Sequence, residues 1–226
     1  MSTAAAARRE RLVATYREAS RCERCALAGT RTTVVFGAGN ADAELMFVGE
    51  APGAEEDRRG LPFVGRAGGL LEELLGGIGL SRDEVFIANT LKCRPPGNRN
   101  PQPDELEACR PYLERQVELI EPKVIATLGN FATKLLTGSQ TGITRVRGRP
   151  QTHTLGARTV HIFPLLHPAA ILRNPNQRPQ IDADFATLRD LLSQPAPEQA
   201  PQQPLVGGGA PPAARPAEDQ LDIFGA

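Results

Sequence analysis

Apolar and polar positions alternate along the chain in blocks. Four short apolar-rich runs, residues 45–48, 85–88, 123–129 and 159–166, read as buried strands, and each stops at a glycine or polar residue: Gly49-Glu50, Asn89, Gly129-Asn130 and His167. Between them, apolar residues recur at helical spacing. Residues 8–20 carry Leu12, Val13 and Tyr16 among charges, residues 70–75 are Leu-rich, and Pro103-Asp104-Glu105 opens a helix running to about residue 120. Asn130 caps a short helix ending near Gly138, and residues 182–192 form the last one. Strands alternating with helices predict an α/β fold on an open sheet, whose ligands sit beyond the carboxyl ends of the strands.

The pattern stops at Gln194. Residues 195–226 are dominated by proline, alanine, glycine and glutamine, so the chain divides into a folded domain, 1–194, and a disordered tail, 195–226. The tail ends in Gln220-Leu221-Asp222-Ile223-Phe224-Gly225-Ala226, an apolar cluster with no core to enter and therefore a docking peptide.

Charge adds a direction. Lys+Arg and Asp+Glu balance at 26 each, yet residues 122–181 contain no Asp or Glu and hold Lys123, Lys134, Arg145, Arg147, Arg149, Arg158, Arg173, Arg178 and all three histidines. One polyanion-facing surface is expected there, with Arg145, Arg147 and Arg149 alternating as in a phosphate-tracking hairpin. No apolar stretch is long enough to span a membrane, and the N-terminus lacks a secretory core, which places the chain in the cytoplasm. Disulfides are rare there, so the four cysteines need another purpose.

Candidate chemistry gathers at the strand ends. Gly49-Glu50-Ala51-Pro52-Gly53 is a backbone-exposed turn that poises a carboxylate, followed by the acidic cluster Glu55-Glu56-Asp57. Phe63 lies in a glycine-rich loop just before a helix, where it serves either the core or a site rim. Asn89 offers the donor and acceptor that reading a base edge requires, although such a residue also forms turns. His167 closes a strand and is pinned by Pro168. Cys22-x-x-Cys25, Cys93 and Cys109 can supply four thiolates to one metal centre, with zinc and an iron–sulfur cluster both fitting the count.

Assembled, these residues resemble the family 4, iron–sulfur uracil-DNA glycosylases. The resemblance covers roughly residues 21–192 and rests on Gly49-Glu50-Ala51-Pro52-Gly53, Leu61-Pro62-Phe63-Val64-Gly65, Asn89, His167-Pro168-Ala169-Ala170 and the order of the cysteines. It implies a three-layer α/β/α sandwich with a four-stranded, mainly parallel sheet. It also implies a structural [4Fe–4S] cluster on Cys22, Cys25, Cys93 and Cys109, and a monomer that flips uracil out of DNA and hydrolyses its glycosidic bond in base excision repair. Gly49, Glu50 and Ala51 would line the uracil pocket, Phe63 would stack on the base, Asn89 would read its edge and His167 would contact O2.

The water-activating aspartate of the family 1 enzymes is matched by Ala51, leaving water positioning to Glu50 or Glu56. Ile171 and Leu172 would wedge into the vacated stack while Arg173 meets phosphate. A related branch traps DNA through a histidine in an arginine-rich loop. Residues 142–150 have no histidine, so turnover is expected. Gln220, Leu221, Asp222, Ile223 and Phe224 are similar to the pentapeptide by which bacterial repair proteins bind the sliding clamp. The competing reading is a non-catalytic nucleic-acid-binding module that holds zinc or an iron–sulfur cluster.

Overall fold

The protein is described from a computed structural model covering residues 3–199. The clamp-like peptide lies outside the described residues. Helix α1 (Thr3–Ser20) leads to a short edge strand β1 (Ala38–Gly39) and the first buried strand β2 (Leu45–Gly49). Helices α2 (Ala54–Arg59) and α3 (Arg66–Gly77) precede β3 (Phe86–Asn89), and α4 (Pro103–Ile120) precedes β4 (Val124–Leu128). Then come α5 (Asn130–Thr137), α6 (Ile143–Val146), the hairpin β5 (Gln151–Leu155) and β6 (Arg158–Leu165), α7 (Pro168–Arg173) and α8 (Arg178–Leu192).

The strands form one sheet in the order β1-β3-β2-β4-β6-β5. β3, β2, β4 and β6 are parallel, and β1 and β5 add antiparallel edges. The four parallel strands are the four apolar runs of the sequence. The sheet has six strands rather than four because the edges are a two-residue pairing, Ala38 with Ile87 and Gly39 with Phe86, and a polar strand alternating half-buried and exposed positions. Neither carries an apolar run.

Side chains alternate across the sheet and build two cores. Met46, Val48, Phe86, Ala88 and Ile125 pack with Leu12 of α1 and with Tyr112, Leu113 and Val117 of α4. Leu45, Phe47, Ile87, Val124, Ala126 and Phe163 face Leu71, Leu74 and Leu75 of α3, Ile171 of α7 and Phe185 and Leu188 of α8. Phe47 stacks on Phe185 at 6.1 Å. The result is a three-layer α/β/α sandwich. No helix among the described residues is long and apolar enough to cross a membrane.

One local expectation changes. The arginine-rich segment is not a hairpin: Gly142 starts the single helical turn α6, Gly148 turns the chain at a φ of 70°, and the hairpin begins only at Gln151. Beyond α8, the Gln199 carboxamide accepts from Thr159 N at 3.1 Å and donates to Thr159 O at 2.9 Å.

Candidate active site

The order of the parallel strands creates the site. From β2 the chain crosses to β3 on one side, and from β3 it passes back to β4 on the other, so the crevice between the carboxyl ends of β2 and β4 is a topological switch point. A cleft of about 420 Å³ opens there. Parallel register sets Gly49 opposite Asn89 and Leu128 opposite Leu165, which brings the residues after each strand to one level. Glu50, Ala51, Phe63, Asn89 and His167, spread over the sequence, all line this cleft.

Phe63 is held from four sides. Its backbone adopts a φ of 51°, a left-handed conformation that costs a non-glycine residue on the order of 1 kcal/mol or more and persists only when its surroundings enforce it. Glu56 Oε1 accepts from Val64 N and Gly65 N, both at 3.0 Å. Arg82 donates to the carbonyls of Phe63, at 3.0 Å, and of Pro62. Beneath the ring, a Cβ at Gly49 would stand 2.8 Å from Phe63 Cζ and would also strike Asn89 Oδ1. A Cβ at Gly68 would collide with the Phe63 carbonyl, so only glycine lets α3 approach. The ring is 6 % exposed and its centroid lies 5.7 Å from that of His167. Phe63 is thus both a core neighbour of α3 and one wall of the cleft.

Three polar groups face that wall. Asn89 is buried, and its side-chain Oδ1 has no hydrogen-bond donor. An orphaned buried acceptor costs about 1–3 kcal/mol, and a lost partner supplied by a ligand is a direct explanation for it. The Glu50 carboxylate makes no hydrogen bond or ion pair among the described residues, while its carbonyl is anchored by Thr90 Oγ1 and Leu91 N. Partial burial pushes its pKa above the usual carboxylate value.

His167 caps α7, its Nδ1 accepting from Ala169 N at 3.1 Å. That bond leaves the ring proton on Nε2 as a donor. Burial, helped by the nearby Arg173, pushes the pKa down to about 4 against the opposing pull of Glu56, so the imidazole is neutral at pH 7.

The rim sorts the remaining candidates. Ile171 is 4 % exposed and belongs to the core against α3, so it does not project as a wedge. Leu172, by contrast, is 38 % exposed, the exposed large hydrophobic side chain among the described residues. Arg173 lines the cleft. Arg147 turns inward to the buried Asp184, at 2.7 Å, and to the Gln180 carbonyl, which corrects its assignment to a phosphate-facing row. Arg145 and Arg149 have no ion-pair partner among the described residues. Arg99 also lines the cleft, anchored in a two-armed ion pair to the buried Glu105 at 2.5 and 2.9 Å. Sequence reasoning missed the clamping roles of Glu56, Arg82 and Arg99; the partners of the first two are backbone groups, which carry no sequence signal.

The four cysteines converge behind the cleft. Cys22 and Cys25 follow α1, Cys93 follows β3 and Cys109 lies on α4; all four line one apolar hollow with Arg31, Lys92 and Tyr112. Cys109 Sγ accepts from Lys92 N at 3.2 Å, and Cys93 Sγ from Arg31 at 3.6 Å. Burial pushes the Cys93 thiol up to about 11 and raises that of Cys109, so both stay protonated unless a positive group binds. Among the described residues no three His, Cys, Asp or Glu side chains close on a single-ion site. Four thiols around one hollow, two of them already accepting N–H bonds, are a donor set suited to a metal centre.

Comparisons with known proteins identify relatives of this chain. The Uracil DNA glycosylase superfamily model matches residues 36–191, which include the whole cleft. A type-4 uracil-DNA glycosylase of Sulfurisphaera tokodaii is 48% identical over 77% of this chain and 81% of its own length. One of Archaeoglobus fulgidus is 45% identical over 80% of this chain and 93% of its own. A type-5 uracil-DNA glycosylase of Thermus thermophilus is similar over less, 35% identical across 45% of this chain and 53% of its own. With the cleft residues inside the matched span and relatives this similar over most of their length, the chain belongs to the uracil DNA glycosylase superfamily and, within it, to the type-4 family.

Proposed function

We propose that the protein removes uracil from DNA by hydrolysing the bond between N1 and the sugar, leaving an abasic site. The observation that carries this reading is the buried, donor-less Asn89 carboxamide oxygen in a cleft walled by Phe63 and His167. Uracil presents a donor, N3–H, between two carbonyl acceptors. Asn89 Oδ1 accepts from N3–H while Nδ2 donates to O4, a pair that cytosine, with its acceptor N3 and donor N4, cannot satisfy.

The base must leave the helix to reach this pocket, at a cost of a few kcal/mol, and stacking on Phe63 offsets part of it. As the glycosidic bond lengthens, uracil gains negative charge at O2 and the sugar gains positive charge. The neutral His167 Nε2–H donates to O2 without having to be ionised first. Glu50, with its carboxylate free, faces the cationic sugar and orients the attacking water, whose hydroxyl ends on C1′ while its proton neutralises the departing uracil anion. Glu56 is engaged with Val64 N and Gly65 N and acts by holding Phe63. Leu172 fills the vacated stack, and Arg173, Arg145 and Arg149 meet backbone phosphates.

Cys22, Cys25, Cys93 and Cys109 would hold a [4Fe–4S] cluster. When bound it ties α1, the exit of β3 and α4 together as a cross-link. Four thiolates around a doubly positive core leave a dianion, and Lys92 and Arg31 supply two compensating charges at the same hollow. The terminal residues Gln220, Leu221, Asp222, Ile223 and Phe224 are assigned to the sliding clamp; calorimetry with a peptide of residues 216–226 tests this, and absence of binding removes it.

The decisive assay is incubation with a uracil-containing oligonucleotide followed by alkaline strand scission, comparing the wild type with Asn89→Ala, Glu50→Ala and His167→Ala. Each variant loses at least ~10-fold. Equal rates in all four proteins would overturn the site.

A further inference from the structure

Lys92 is buried to 1 % exposure, and no carboxylate pairs with it among the described residues. Its ammonium donates to the Asn89 carbonyl at 2.9 Å and to Gln116 Oε1 at 2.6 Å, and lies 5.8 Å from the Phe36 ring centroid. Gln116 is fixed in turn by donating to the Phe36 carbonyl at 2.8 Å. Burying an unpaired ammonium is expensive, so its retention calls for a compensating charge or a task.

Both lie along residues 89–93. Thr90 and Leu91 secure the Glu50 carbonyl, the Lys92 N–H meets Cys109 Sγ, and Cys93 follows directly. The Lys92 backbone therefore touches the cysteine hollow while its side chain reaches back three residues to the main chain that carries the base-reading carboxamide.

We propose that Lys92 is a positioning residue that sets the Asn89 carboxamide from the cysteine site, so that an intact cysteine site is a condition for discriminating uracil from cytosine. The inference rests on Asn89 reading the base, as proposed above. Lys92 touches neither substrate nor reacting atoms. The ammonium holds the peptide after β3 at the level where Gly49 leaves room for the Asn89 side chain. Without it, the orphaned Oδ1 is free to rotate toward a protein donor, and the cleft loses its preset acceptor.

The test is a double-mutant cycle on iron-loaded protein with Lys92→Met, Asn89→Ala and the double variant. Fluorescence anisotropy measures binding to oligonucleotides carrying non-cleavable 2′-fluoro-2′-deoxyuridine or its cytidine counterpart, alongside uracil release and iron per chain. Lys92→Met should lower the uracil-to-cytosine binding ratio about tenfold, and should lower it less than about twofold further once Asn89 is alanine, because coupled residues are not additive.

Equal losses in both backgrounds would reduce Lys92 to a structural residue and overturn the proposal. Should Lys92→Met fail to fold or load iron, Gln116→Leu decides. It removes one partner of the ammonium and leaves the Lys92 N–H on Cys109 in place; a smaller but still non-additive drop supports the proposal, and an unchanged ratio ends it. A wild type that releases no uracil would sink the glycosylase reading itself, an outcome separate from either of these.

Discussion

The cleft and the cysteine hollow lie on opposite sides of residues 89–93 and treat buried polar atoms in opposite ways. In the cleft, Asn89 Oδ1 has no donor, the Glu50 carboxylate has no partner among the described residues, and Phe63 sits in left-handed backbone. In the hollow, two sulfurs already accept hydrogen bonds and the Lys92 ammonium meets two oxygens. Unmade bonds and strained backbone cost stability and keep a shape ready for a guest; completed bonds fix a scaffold. One region stores what the other enforces.

The sharpest way to separate the two is Gly68→Ala. Its methyl would drive into the Phe63 carbonyl, and a displacement of about 1 Å at a positioned group can cost ~100-fold in rate. Uracil excision should fall by that much while iron content and absorbance hold; loss of iron would show that the regions are not separable.

Asn89→Ala comes next, with at least a ~10-fold loss of excision and no drop in thermal midpoint, because it deletes an unsatisfied acceptor. A midpoint several degrees lower would mean that the carboxamide serves the scaffold.

Acid titration gives a subtler contrast within the cleft, since burial moves Glu50 and His167 in opposite directions. Glu50 titrates above its usual value, so the acid limb of kcat should belong to it and flatten in Glu50→Gln. His167 has its pKa depressed from 6.5 to about 4. Between those values the unfolded chain binds a proton that the folded chain refuses, so its contribution lowers stability as pH falls through that window. Urea melts of His167→Gln should show a shallower decline over this range, and an unchanged slope would reject a neutral, buried imidazole.

Leu172→Ala should have the smallest effect, about threefold on duplex substrate and none on single-stranded substrate, if the side chain acts only by filling a vacated stack. Equal losses on both would place it in base binding.

Much of this was legible in the sequence, for identifiable reasons. Strands buried on both faces are apolar along most of their length, so β2, β3, β4 and β6 announce themselves, and the glycine or polar residue that ends each run marks the level of the cleft. Edge strands have one neighbour and need no such run, which is why β1 and β5 were not foreseen. Charge tells that Arg147 is cationic but not that Asp184 waits 2.7 Å away on α8. Adjacent Ile171 and Leu172 look alike in sequence, yet the helical rotation between them buries one and exposes the other. Glu56, Arg82 and Lys92 act on backbone atoms, and only coordinates reveal which backbone is near.

Gln199 fastens to Thr159, near the start of β6, and eight residues of extended chain separate that point from His167. At about 3.3 Å per residue the gap is roughly 25 Å. A handle joined directly after Gln199 would thus start from the end of the sheet away from the cleft. Immobilised on a chip or bead by that tether, the molecule would present its working edge outward, unshadowed by the support.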